Sequence, residues 1–303
     1  MIFSTPILLN VFNRPYETEI ILNNLRDYKV PVLYIHCDGP RENNLNDQKL
    51  VNQVKELISN NLDWDCELHL MYEENNQGCG KGPYRAMSWF FNNVEEGIIL
   101  EDDCIPHKDF FLYCQELLEK YRNNNNVGII GGSFFSDIKS DYSYFFTPYA
   151  GIWGWATWKR VWQKVDYNIS ISDEEFRLKT HNFLKSNDAE NYWLCILKKC
   201  KEDGINKTYW DYQLHLCLML ENIIHITPTK NLISNIGFNE KATHTIDSSN
   251  KYANKEVYSI LPINHPKNVE IDYKYCNQTY RKSLFYKIKK FVKKFYIKYV
   301  NKF

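Results

Sequence analysis

Three consecutive acids, Glu101, Asp102 and Asp103, follow directly on the apolar run Gly97–Leu100. Carboxylates crowded in this way repel one another, and a hard divalent cation is their natural partner. Mg2+ or Mn2+ prefers oxygen ligands and keeps open positions that diphosphate oxygens can fill. The same acids suit a helix start, because acids favour helix N-termini and Phe110 lies a few residues on. Position alone leaves both readings open. A second feature, Asn75–Gly82, is rich in glycine and carries Lys81. Such a segment can aim backbone N–H groups and a lysine at phosphate. By itself it is a flexible loop, and it lacks the GxxxxGK[ST] spacing of a P-loop.

The elements that must position these residues are legible in the first hundred positions. Ile7–Phe12, Pro31–Cys37, Glu67–Tyr72 and Gly97–Leu100 read as strands. Between them, Glu17–Leu25, Gln48–Asn60 and a stretch ending at Phe91 have helical spacing, with Gly78–Pro83 expected as a loop. Alternation of strand and helix predicts a mostly parallel sheet with helices on both faces. Ligands of such sheets sit beyond the carboxyl ends of the strands, where Asp38 and Glu101–Asp103 both fall. Asp109–Arg122, Asp173–Lys185, Asn191–Lys201 and Gln213–Leu220 are further helices, and Val127–Ile130 a further strand. Tyr142–Trp162 is dense in aromatics and glycine and shows no clear period. His36 reads as a packed strand residue.

An ordered set of short stretches carries a resemblance. It comprises Val11-Phe-Asn-Arg-Pro15, His36-Cys-Asp-Gly-Pro40, Tyr84-Arg-Ala-Met-Ser-Trp89, Gly97–Cys104 and Asp109-Phe-Phe-Leu-Tyr113. Ala150-Gly-Ile-Trp-Gly-Trp155, Tyr209-Trp-Asp-Tyr212 and Gly237–His244 complete it. Together they resemble the GT-A glycosyltransferases, in particular the mannoside N-acetylglucosaminyltransferase I type and related bacterial nucleotide-diphospho-sugar transferases. The resemblance implies a Rossmann-like α/β mixed sheet flanked by helices and an inverting transfer of a sugar from a nucleotide diphosphate to a hydroxyl. It implies Asp103 as metal ligand with Glu101 orienting the cluster, and His244 on the metal or diphosphate. Asp102 would face ribose or donor sugar, Asp38 the nucleobase, and Arg85 the nucleotide. Gly151 and Gly154 would let backbone approach the ligand. Trp153, Trp155 and Trp158 offer faces for sugar rings, although tryptophans of this kind also simply fill cores. Asp211 would be the catalytic base, desolvated by Trp210 and Tyr212; Asp is also a preferred helix cap. The implied cofactors are Mn2+ or Mg2+ and a nucleotide sugar, UDP-linked by resemblance.

Charge divides the chain. All 303 residues carry 37 basic and 37 acidic side chains, yet Arg281–Phe303 holds nine cations and no acid. The first 280 residues therefore carry a net −9. The expected organisation is a catalytic domain over 1–245, a wrapping segment over 246–280 and a basic amphipathic helix over 281–303. Leu284, Ile288, Phe291, Val292, Phe295 and Tyr299 would share one helix face and lysines the other. That pattern suits an anionic membrane surface, with docking on the domain as the plainer alternative. No base-reading motif accompanies the basic tail, so nucleic acid is not an expected partner. Nine cysteines without any CxxC pair read as reduced thiols, and the N-terminal apolar run lacks the basic region of a signal peptide. The expected location is cytoplasmic, peripheral at the inner face of the membrane, with a glycan or lipid-linked acceptor. Two rivals stand beside the glycosyltransferase. A sugar nucleotidyltransferase would use a similar sheet and metal site but would call for a basic, glycine-rich loop behind the first strand. Asn10–Pro15 offers one arginine and no glycine. A non-catalytic sugar-binding module would keep the tryptophans and need no metal ligands.

Overall fold

The computed structural model describes residues 2–136, 138–202, 209–238 and 252–276. His244 and the whole basic segment Arg281–Phe303 lie outside the described residues. The chain begins with β1 (Ile7–Val11), α1 (Pro15–Asp27), β2 (Val32–Cys37), α2 (Leu45–Asn61) and β3 (Glu67–Tyr72). It continues through α3 (Gly78–Asn93), β4 (Glu96–Glu101), β5 (Cys104–Pro106), α4 (Asp109–Tyr121) and β6 (Val127–Gly131). Next come β7 (Tyr144–Thr147), β8 (Trp155–Trp158), α5 (Lys159–Trp162), α6 (Asp173–Leu184) and α7 (Asn187–Glu202). After them follow α8 (Asp211–Leu220), β9 (Ile224–Pro228) and β10 (Ile233–Asn235).

Eight strands form one mixed sheet in the order β3-β2-β1-β4-β8-β6-β9-β7, flanked by helices. The strands β3, β2, β1 and β4 are parallel, and β8 runs against both β4 and β6. β1 is buried along its whole length between β2 and β4, as its unbroken apolar character requires. The chain winds from β1 outward to β3 and then crosses back through α3 to β4. The order therefore reverses between β1 and β4, the position where open α/β sheets bind ligands.

Three further pairings bring distant segments to that edge. β8 pairs antiparallel with β4 so that Trp155 lies opposite Ile99, which places the loop before Trp155 beside the end of β4. β6 ends at Gly131 opposite the same Trp155. β10 pairs with β5, Asn235 opposite Cys104, and Ile236 N–H donates to the Asp103 carbonyl at 2.9 Å. Residues 252–276 lie across this framework. Asp109 at the start of α4 accepts from the Ser259 hydroxyl at 2.6 Å and from Ile260 N–H at 3.0 Å.

One expectation is corrected here. Gly78–Pro83 is the opening of helix α3 and not a loop. Gly80 and Gly82 are buried in it, and a Cβ on Gly82 would sit 3.5 Å from the Asp38 carboxylate. These glycines serve close packing of helix against loop.

Candidate functional site

The end of β4 meets the end of β1 through one side chain. Arg14, immediately before α1, places Nη2 2.9 Å from Asp102 Oδ1 and Nη1 2.7 Å from Asp103 Oδ2. Asp102 is only 2% exposed, and its second oxygen has no hydrogen-bond partner. The other oxygen of Asp103 accepts from Asn235 Nδ2 at 3.3 Å and from the Cys104 thiol at 3.4 Å. Gly237 packs so closely on Asp103 that any Cβ there would overlap the carboxylate.

This cluster holds more negative charge than Arg14 offsets. Burial, together with Asp103 and Asp102, pushes the Glu101 carboxyl up to about 8. Burial lifts Asp102 to about 7 against the opposing pull of Arg14. Acids held this way favour either a proton or a cation. Ligand atoms of Glu101, Asp103 and Cys104 lie within 4.8 Å of one another. The Cys104 thiol is driven far above its ordinary value by burial and the neighbouring acids, so it stays protonated. The donor set is thus carboxylate oxygen, which fits Mg2+ or Mn2+ and does not fit a thiolate-seeking metal.

Asp38 does a different job from the one its position suggests. Its carboxylate accepts from the N–H groups of Gly39 and Gln77, each at 2.8 Å, and of Gly78 at 3.1 Å. Asn76 Nδ2 adds a fourth bond at 2.9 Å. All four partners belong to its own loop or to the segment entering α3, so Asp38 fixes the start of that helix. Burial raises its pKa while the backbone donors hold it down. Lys81 and Arg85 stand exposed on α3, and Arg85 Nε is 2.9 Å from Glu73.

Beside the acids lies an aromatic cavity of about 270 Å3. Gly151 and Trp153 from the loop before β8, Tyr192 and Trp193 from α7, and Asp211 and Tyr212 from α8 form much of its wall. Trp153 meets Phe135 edge-on with centroids 5.1 Å apart, and Tyr192 meets Trp193 edge-on at 5.4 Å. Ser133 contributes a buried hydroxyl with no protein partner. Gly151 packs against this hydroxyl, where a Cβ would overlap it. Gly154 turns the loop at φ +59°, the left-handed region that favours glycine.

The tryptophans divide. Trp153 faces the cavity, whereas Trp155 and Trp158 are core residues of β8, 1% and 2% exposed. The expected sugar-stacking role of Trp155 is corrected accordingly. Its ring stacks on Trp210 at 5.7 Å and thereby holds the start of α8 against the sheet. Asp211 follows at the first position of α8, and its carbonyl lies 2.8 Å from His215 Nδ1. His215 Nε2 lies 3.0 Å from the Ala150 carbonyl, tying α8 to the cavity loop. The Asp211 charge is felt at Glu101 as well as at Tyr192 and Tyr212, where it joins burial in raising their pKa values. The cavity and the acid cluster are electrostatically one site.

The structure therefore brings together Glu101, Asp102, Asp103, Gly151, Trp153, Gly154 and Asp211. Asp102 is paired with Arg14, Asp38 is engaged within its own loop and the segment entering α3, and Lys81 and Arg85 stand exposed on α3. Reading the sequence missed Arg14 and Asn235 as partners of the acids, and Ser133, Tyr192 and Trp193 as cavity walls. Only Arg14 had a local signal, a lone cation directly behind the first strand. Among the described residues, no helix is long and apolar enough to cross a membrane.

No family model matches the chain, and no curated protein matches it. Solved structures of similar fold exist. HddC from Yersinia pseudotuberculosis is 12% identical over 52% of this chain and 78% of its own, with a TM-score of 0.34. A UDP-glucose pyrophosphorylase complexed with UDP-glucose is 9% identical over 53% of this chain and 78% of its own, with a TM-score of 0.32. The 4-diphosphocytidyl-2C-methyl-D-erythritol synthase from Anaerococcus prevotii is 10% identical over 53% and 74%, with a TM-score of 0.30. The likeness is one of fold, a Rossmann-like sheet flanked by helices. The expected glycosyltransferase of the hexosyltransferase type is not supported by these comparisons.

Proposed function

We propose that the chain is a metal-dependent nucleotidyltransferase that joins a nucleotide to a small phosphate ester, the product being a nucleotide-diphospho compound of the nucleotide-sugar kind. The observation that carries this reading is the junction of a carboxylate cluster with one ring-sized cavity through Asp211. The cavity accommodates a single ring or headgroup beside the metal acids, which suits one small phosphate ester.

In this reaction a phosphate oxygen of the ester forms a bond to the α-phosphorus of a nucleoside triphosphate. The bond from that phosphorus to the bridging oxygen breaks, and pyrophosphate leaves. A divalent cation on Glu101 and Asp103 would screen the phosphate charge. Arg14 compensates Asp102 and Asp103, keeping the cluster ionised enough to accept that cation. The basic, glycine-rich loop expected behind the first strand of such an enzyme is not found in Asn10–Pro15, where Arg14 is the one cation and is engaged by Asp102 and Asp103. The attacking phosphate is already ionised, so no base is needed, and Asp211 becomes a binding group of the cavity. Trp153 and Gly151 would shape the seat of the ester's organic part.

The test supplies each nucleoside triphosphate with Mg2+ or Mn2+ and a panel of sugar 1-phosphates, and measures pyrophosphate. Release that needs both the triphosphate and one phosphate ester supports the reading. Release of nucleoside diphosphate from a nucleotide sugar, with no pyrophosphate chemistry in either direction, contradicts it.

A further inference from the structure

We infer that the cavity beside Asp211 is a seat for a small organic cation, so that the phosphate ester used by the proposed reaction carries an ammonium group. The inference rests on that reading for the phosphate end of the ligand and on the cavity alone for the cationic end.

The wall combines two features that select for positive charge. Phe135, Tyr149, Trp153, Tyr192, Trp193 and Tyr212 contribute aromatic rings, and Asp211 is the one carboxylate among the lining residues. Among the described residues, no lysine or arginine lines the cavity. Aromatic faces carry negative quadrupole potential, and cations over them are attracted most when water is excluded. The chain itself places ammonium groups over two of these rings from positions that do not line the cavity. Lys199 Nζ lies 5.9 Å from the Tyr212 centroid, and Lys255 Nζ lies 5.5 Å from that of Phe135.

A neutral pyranose would present several hydroxyls, each needing a partner once buried. Most of the wall is aromatic, and its polar side chains are Ser133, three tyrosines, His215 and Asp211. An alkylammonium group needs only the ring faces and one carboxylate. Its volume also suits a cavity of about 270 Å3. Two sources share this chemistry: a trimethylammonium headgroup and the protonated amine of an amino sugar.

The experiment titrates the full-length protein with choline, glucosamine, N-acetylglucosamine and glucose, following tryptophan fluorescence and confirming by calorimetry. At least one cation should bind tenfold or more tightly than both neutral sugars. Tighter choline binding identifies the methylated headgroup, and tighter glucosamine binding the amino sugar. Asp211→Asn should cost at least tenfold in cation affinity, and Trp153→Leu should do the same while Trp153→Phe retains most of it. Circular dichroism shows that each variant folds. Equal binding of neutral sugars and cations, or binding unchanged by Asp211→Asn, overturns the inference. Pyrophosphate release driven by a neutral sugar phosphate, with no cation binding, overturns it while sparing the reaction. Selective cation binding without any pyrophosphate release supports the seat and removes the reaction.

Discussion

Arg14 and Asp103 stand 89 positions apart in the chain and 2.7 Å apart in the fold. The guanidinium spans from Asp103 to Asp102, so the cation just beyond the first strand offsets part of the charge of the acids just beyond the fourth. Removing one partner of a buried ion pair leaves the other uncompensated, at a cost of about 3–5 kcal/mol. Arg14→Met should therefore destabilise the protein by an amount of that order in urea unfolding. Mn2+ should recover part of the loss, because it restores positive charge to the same carboxylates. A variant as stable as the parent without metal would show that the pair is not the cluster's principal compensation.

The raised carboxyls predict a pH dependence with a definite sign. Glu101, at about 8 in the fold, and Asp102, at about 7, hold protons where the unfolded chain has already lost them. Stability of the metal-free protein should fall as pH rises from 6.5 to 8. His36, held near 4, and His225, held well below its usual value, are both neutral in the fold, and the unfolded chain's loss of its histidine protons over this range opposes part of the fall. The increase in melting temperature on adding Mn2+ should be larger at pH 8 than at pH 6.5, since protons compete with the ion. Glu101→Gln should flatten both trends.

Asp38 predicts a structural phenotype. Three backbone donors and one amide converge on its two oxygens. Asp38→Asn replaces one acceptor oxygen by a donor and strands about two of those N–H groups. At about 1–3 kcal/mol for each buried unsatisfied donor, a loss of about 2–6 kcal/mol is expected. Amide hydrogen exchange should quicken at Gln77 and Gly78 first.

Gly151 and Ser133 form a matched pair at the cavity wall. Gly151→Ala forces a methyl onto the Ser133 hydroxyl, an overpacking cost of about 1–3 kcal/mol. Ligand affinity should fall with it. Adding Ser133→Gly should return most of the stability, as a double-mutant cycle would record.

Much of the framework was readable because it is local. β1, β2 and β4 are largely apolar runs between turn residues, β3 alternates, and the helices carry an apolar stripe. Strands β7 to β10 have only three to five residues each and pair with partners far away, so nothing within them announces their place. Gly78–Pro83 misled because a glycine-rich run signals a loop, whereas here the Asp38 carboxylate accepts from Gln77 and Gly78 N–H at the opening of a helix. The acids at the end of β4 were visible as chemistry. Arg14 as their partner was not, because a side chain's sequence neighbours do not reveal what lies across a sheet. Trp155 and Trp153, two positions apart, would share a face of a continuous strand, but the left-handed turn at Gly154 between them places one in the core and the other at the cavity.

Metal on Glu101 and Asp103 is the claim on which the site depends. Calorimetric titration of Mn2+ into the wild-type protein and into Asp103→Asn, at pH 8 with and without a nucleoside triphosphate, addresses it directly. The account predicts one ion per wild-type chain, tighter binding with nucleotide present, and a loss of at least tenfold in the folded variant. Unchanged Mn2+ affinity in Asp103→Asn would contradict it.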